Sequence, residues 1–132
     1  MAKNPVEVEV AIETLAVDGL GGGDHQERPI WVRNALPGEV VSARIVKRRG
    51  GARYADGQLL GTAHPERIPS ACQYFPRCGG CVLQHASGDY QLAHKQGALA
   101  ASLKAQGVEA HCWRRPSSLV RLGYRTKARL GV

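Results

Sequence analysis

Val6-Glu7-Val8-Glu9-Val10 alternates apolar and acidic side chains, the period of a strand with one face on a core and the other in water. Residues 12–17 either extend that strand or begin another. Gly19 and the Gly21-Gly22-Gly23 run predict a turn or flexible loop. Pro29-Ile30-Trp31-Val32 is a second apolar run, closed by a Pro-Gly turn at Leu36-Pro37-Gly38-Glu39. Val40 to Val46 is a third, Gly50-Gly51 breaks the chain, and Tyr54 to Thr62 gives a last strand with Gly57 as a bulge or kink. Pro65 and Pro69 read as a linker. Short strands with Gly-rich turns over this length predict a small five-stranded barrel of the OB type, covering residues 1–66.

Residues 67–132 read as a second unit. It opens on Cys72-Gln-Tyr-Phe-Pro-Arg-Cys78-Gly-Gly-Cys81. Ser87 can cap a helix from about 88 to 106, with Tyr90, Leu92, Leu99 and Leu103 as a partial apolar stripe and Gly107 as its stop. Tyr124 to Val132 alternates again. As a strand it would put Arg125, Lys127 and Arg129 on one face and Tyr124, Thr126, Ala128 and Leu130 on the other. The expected fold class is α+β, mainly strand with one helix.

Charge separates the halves. The net charge is +7. Residues 1–70 carry nine basic and nine acidic side chains, whereas residues 71–132 carry nine basic ones against Asp89 and Glu109. Within the balanced half, Arg44, Lys47, Arg48, Arg49 and Arg53 follow one another with no acid between them. Such a cluster is the footprint of a polyanion partner or a solvated surface. Trp31 and Tyr54 can stack on bases or belong to partly buried structure. No apolar run is long enough for a transmembrane span, and the N-terminus lacks a secretory h-region. The expected compartment is the cytoplasm, and the expected state a monomer.

A reducing cytosol disfavours disulfides, so a close C-x-x-C there points to metal or redox chemistry. Two residues between Cys78 and Cys81 let both sulfurs converge on one centre, and Gly79-Gly80 leaves the turn unobstructed. Cys72 can loop round to a third corner. Cubane iron–sulfur clusters take thiolates, four in the usual case. Zinc competes, with His85 or Cys112 completing a four-ligand site. Cys112 can be a fourth ligand or a plain structural thiol. His85 packs against the motif or ligates. His64, His94 and His111 read as ordinary surface or helix residues.

These pieces carry a resemblance. The barrel with Ala35-Leu-Pro-Gly-Glu39 resembles the TRAM domain. Cys72…Cys78-Gly-Gly-Cys81-Val-Leu-Gln-His85, Tyr90-Gln-Leu-Ala-His-Lys95 and Tyr124-Arg-Thr-Lys-Ala-Arg129 resemble, in order, segments of the RNA (uracil-5-)-methyltransferases. The resemblance implies S-adenosylmethionine-dependent methylation of carbon 5 of a uridine in ribosomal or transfer RNA. It also implies a 4Fe-4S cluster with Cys72, Cys78 and Cys81 as three ligands. From their own charge pattern, Arg44, Lys47, Arg48, Arg49 and Arg53, and Arg125, Lys127 and Arg129, are the expected RNA phosphate contacts. In the family a cysteine nucleophile adds to carbon 6 and a glutamate removes the carbon-5 proton. No counterpart of either, and no cofactor-binding glycine loop, is found here. The chain therefore reads as the N-terminal part of such an enzyme, inactive alone. The alternative is a stand-alone RNA-binding module with a zinc or iron–sulfur knuckle. An electron-transfer protein fits less well, because the ligand set is incomplete and the surface basic.

Overall fold

A computed structural model describes residues 5–118 and 121–129. Six strands run in chain order: β1 Glu7–Ala11, β2 Thr14–Leu15, β3 Gly21–His25, β4 Arg28–Arg33, β5 Val40–Arg49 and β6 Ala52–Leu60. One helix follows, α1 Gly88–Ala105. The strands form a single sheet in the order β1-β5-β6-β4-β3-β2. All pairs are antiparallel except β4 with β6.

The core is one side of this sheet. Val10 and Ile12, Ile30 and Val32, Val41 and Ala43, and Ala55 alternate inward and bury completely, with Ala35 beneath them and Val8 and Ile45 at the margin. The acidic partners Glu7 and Glu9 stay in water, so the opening alternation is the physical cause of β1. The fold is α+β and mainly strand, as expected.

The five-stranded closed barrel is corrected to a six-stranded sheet whose ladder stays open, with β1 at one end and β2 at the other. The reason is a change of partner within the first strand. Through Ala11 the chain pairs with β5; then Ile12 N–H donates to Glu39 O (2.8 Å) and Glu13 N–H to Gly22 O (2.8 Å), and β2 continues on β3. One bent strand is thereby divided in two.

The glycine run is also corrected. Gly19, at φ +83°, makes the turn, but Gly21–Gly23 form most of β3. Their role is closeness. A Cβ on Gly23 would lie 2.5 Å from Ala11 O, and one on Gly22 would lie 2.8 Å from the Trp31 ring. Only a residue without Cβ lets β1 and the Trp31 indole approach β3 so nearly.

The register of the β5–β6 hairpin slips between Ile45 and Lys47, which makes Val46 an extra residue in β5. Gly57, the expected bulge, stays in register opposite Ala43.

Helix α1 follows its sequence signals. Ser87 Oγ accepts from Tyr90 N–H at 3.2 Å. At the other end Gly107 (φ +76°) closes a Schellman motif, with Val108 N–H on Leu103 O (2.9 Å) and Gly107 N–H on Lys104 O (3.0 Å). No residue of the helix is buried, so its caps count beside its side-chain contacts, such as Gln91 Nε2 on Leu83 O and Ala86 O. Replacing Ser87 by Ala should lower helix stability by about 1 kcal/mol. It should speed hydrogen exchange across α1 while leaving β5 and β6 protected. Uniform deprotection of the whole chain would contradict this local account.

The strand expected at 124–132 is not formed over residues 124–129, which lie outside any helix or strand and are exposed. Its remaining positions fall outside the described residues. An isolated strand leaves its backbone N–H and C=O groups unpaired, and among the described residues nothing pairs with it.

Candidate functional site

The face of the sheet turned away from the core carries polar rows, each set by cross-strand register. Glu7, Arg44, Asp56 and Arg33 line up across β1, β5, β6 and β4. Asp56 there accepts from Arg33 Nε at 2.6 Å and is approached by Arg44 Nη2 at 3.4 Å. Arg44 is thus partly neutralised, which the sequence did not reveal because Asp56 is twelve residues away.

The next row belongs to the protruding end of the hairpin. Lys47, Arg48 and Arg49 are exposed and Arg53 half-buried. Among the described residues none of the four has an ion-pair partner within 4.0 Å. Arg48 stands directly opposite Arg53. Like charges across a strand pair are destabilising unless an anion sits between them. The extra residue Val46 inverts the alternation, so Lys47 and Arg49 share the outer face while Arg48 and Arg53 share the other. The hairpin therefore presents cations on both sides. Arg125, Lys127 and Arg129 are exposed but belong to no common strand face.

A clamp fastens the cysteine segment to the sheet. Glu39 is buried and its carboxylate takes four donors: Arg67 Nε at 2.6 Å and His64 N–H at 3.0 Å on Oε1, Arg67 Nη2 at 2.7 Å and Leu36 N–H at 2.8 Å on Oε2. Burial alone would push its carboxyl up. The Arg67 hydrogen bonds, the two backbone N–H groups and the Arg67 charge together outweigh burial and hold it below the usual carboxylate range. Arg67 also reaches Asn34 Oδ1 at 3.0 Å and Asn34 O at 2.8 Å. Arg67 pairs with Ala86 as an isolated bridge, and Ser87 N–H donates to Glu66 O at 2.8 Å. The segment expected to be a linker at Pro65–Pro69 is thus tied down.

His85 is buried, and Phe75 of the cysteine segment stacks on it at 5.4 Å between centroids. Burial holds the imidazole below its usual pKa despite the pull of the Ala35 carbonyl. The neutral ring donates from Nε2 to Ala35 O at 3.2 Å. Its Nδ1 has no hydrogen-bond partner among the described residues. His85 thus packs the segment onto the sheet, one of the two roles its place in the sequence allowed.

The cysteine segment is held at both ends. Cys72 N–H lies 3.3 Å from Ser70 Oγ and 3.2 Å from Gln84 Oε1. At the far end Gly19 backs onto Val82, where an added Cβ would lie 2.6 Å from Val82 O. Cys72 is half-buried; Cys78, Cys81 and Cys112 are exposed, and all four thiols are free. Among the described residues no three Cys, His, Asp or Glu side chains gather as a metal-holding group. In kind the donor set fits a thiolate-bound centre. Three thiols lie on one short segment, two of them exposed. Gly79, at φ +72°, supplies a turn between Cys78 and Cys81.

With this geometry in place, sequence comparison defines the class. Residues 6–60 match the TRAM domain, so the sheet is a TRAM domain. The chain is 43% identical over 122 residues to the 23S rRNA (uracil(1939)-C(5))-methyltransferase RlmD of Pseudomonas putida, which covers 92% of this chain and 27% of that protein. It is 40% identical over 123 residues to the enzyme of the same name from Hahella chejuensis, again 92% of this chain and 27% of the relative. An RNA methyltransferase of Listeria innocua shares 36% identity over 107 residues, 81% of this chain and 24% of its own length. The chain is thus similar to one part of these RNA methyltransferases, and it spans about a quarter of the length of the curated relatives it matches.

Proposed function

We propose that this chain is the RNA-binding and substrate-positioning part of an S-adenosylmethionine-dependent RNA uracil-C5-methyltransferase. The observation that carries this reading is the cationic hairpin on a TRAM sheet. Lys47, Arg48, Arg49 and Arg53 stand without acidic partners among the described residues, and Arg48 faces Arg53. Phosphates relieve that repulsion, and the released counterions add to binding. The substrates named for the relatives make ribosomal RNA the favoured partner, with transfer RNA the alternative. None of the residues present is assigned a part in methyl transfer. Among the described residues no helix is long and apolar enough to cross a membrane; a cytoplasmic monomer acting on RNA is part of the same proposal.

Cys72, Cys78 and Cys81 would hold a 4Fe-4S cluster, with Cys112 or a cysteine outside this sequence as the fourth ligand. Such a cluster would tie that segment to whichever segment supplies the fourth ligand, and the segment is already packed on the sheet through Phe75 and His85. Its contribution would be to rigidify the cysteine segment where it packs against the end of β4 and the turn after it.

Two measurements test the reading. The purified chain should bind ribosomal RNA fragments with an affinity that falls steeply as salt rises. Anaerobically purified protein should be brown from thiolate-to-iron charge transfer, and Cys78→Ser should bleach it. Colourless protein with stoichiometric zinc would replace the cluster by a zinc knuckle, and salt-independent binding would remove the hairpin from the RNA site.

A further inference from the structure

Two of the seven aromatic residues among Phe, Trp and Tyr stand side by side on the outer face of the TRAM sheet. Trp31 on β4 is in register with Tyr54 on β6, and Tyr54 is in register with Lys47 on β5. Neither ring belongs to the buried core, and both residues are half-buried. Their strand neighbours Ile30, Val32 and Ala55 bury completely on the opposite face. Adjacent strands lie about 4.8 Å apart, so the two side chains leave the same face from neighbouring positions.

On its other side Trp31 is in register with Gly22 of β3. A Cβ on Gly22 would come within 2.8 Å of Trp31 Cζ3 and 3.3 Å of Cε3. The indole therefore leans over the bare backbone of Gly22. Lys47, Tyr54, Trp31 and Gly22 form one row across four strands.

Charge around the row is graded. Lys47 lies in it and Arg49, at the hairpin tip, shares its face. The nearby carboxylate of Asp56 is already engaged by Arg33 and Arg44. Of the other acids on this face, Glu7 and Glu9 lie on β1, beyond β5, and Asp24 is exposed on β3, level with Arg49 but separated from it by β4 and β6.

We propose that Trp31 and Tyr54 are a stacking platform for unpaired bases of single-stranded RNA, with Lys47 and Arg49 receiving the adjoining phosphates. The proposal rests on the RNA-binding reading above and deepens it. Aromatic side chains next to a basic track bind single strands because every base has a face to stack. A duplex keeps those faces covered and offers only its phosphates to the hairpin.

The experiment uses the whole chain with Trp113→Phe, so that Trp31 is its one tryptophan. Titrating a short oligouridylate should quench Trp31 emission, and a duplex of the same length should bind more weakly without that quenching. Tyr54→Ala should weaken oligouridylate binding about tenfold, the effect of one lost base stack, at an unchanged salt slope. Tyr54→Phe, which keeps the ring, should bind like the parent. Trp31→Ala should weaken binding at least as much, with circular dichroism checking its fold.

The outcomes separate the two readings. Suppose oligouridylate binds with a hairpin-dependent salt slope, yet leaves Trp31 emission and the Tyr54→Ala affinity unchanged. The platform is then overturned and the RNA-binding reading stands. Preferred binding of duplex also overturns the platform. If the parent binds neither RNA, the RNA-binding reading itself fails, and the platform with it.

Discussion

Glu39→Ala should cost about 3–5 kcal/mol of folding free energy, the range for removing one partner of a buried ion pair. The substitution strands Arg67, whose side chain is only 15% exposed, beside an apolar gap, and it leaves the N–H groups of Leu36 and His64 without their acceptor. A loss of this size approaches the whole stability of a small domain. The variant should show an early or barely cooperative urea transition. Arg67→Ala should be similarly damaging, because it leaves the buried carboxylate unpaired. Glu39→Leu combined with Arg67→Met removes both charges at once, and should be less destabilised than the two single losses added together. Single variants within about 1 kcal/mol of the parent would show that the clamp adds little.

The same pair fixes a pH dependence. The Glu39 carboxyl is held below its ordinary value in the folded protein. Its contribution is therefore fully present above the unfolded-state value and is lost as pH falls through the folded-state one. Acid unfolding of the parent should thus be steeper than that of the double variant, which lacks both charges.

The second large effect is on RNA. The triple variant K47A/R48A/R49A should bind about 100-fold more weakly near 0.1 M salt, and its log–log salt slope should be shallower by about 2, as three lost contacts to a single strand predict. The three side chains are exposed, so folding stability should change by no more than about 0.5 kcal/mol. Relief of the Arg48–Arg53 repulsion pushes that change towards stabilisation. An unchanged slope would move the RNA site off the hairpin.

Local rules carried much of the fold. Glu7 and Glu9 between valines announced β1, Gly50-Gly51 announced the hairpin turn, and Ser87 and Gly107 bracketed α1. What was missed depends on residues far apart in sequence. A glycine run reads as a turn because glycine tolerates turn angles, but in β3 it serves close approach to Ala11 and Trp31. Glu39 looked like the end of a Pro-Gly turn, since its partner Arg67 is twenty-eight residues away. The terminal alternation from Tyr124 looked like a strand, but alternation supplies no neighbour to pair with. At the site the division is the same. The spacing of Cys72, Cys78 and Cys81 suggests metal chemistry, whereas whether the three gather depends on the fold, and among the described residues they form no metal-holding group. Trp31 and Tyr54 were visible as two aromatics, and only the parallel β4–β6 pairing makes them neighbours.

The slip at Val46 gives β5 two trades. Up to Ile45 every second side chain is committed to the interior, and a change there is felt throughout the sheet. Past the slip the strand has left the interior, and its side chains answer only to what lies outside. The tip can therefore be rewritten for a differently shaped or differently charged polyanion while the wall behind it keeps its fit. In this chain the capacity to acquire a new target and the capacity to stay folded are assigned to two lengths of one strand, divided by a single surplus residue.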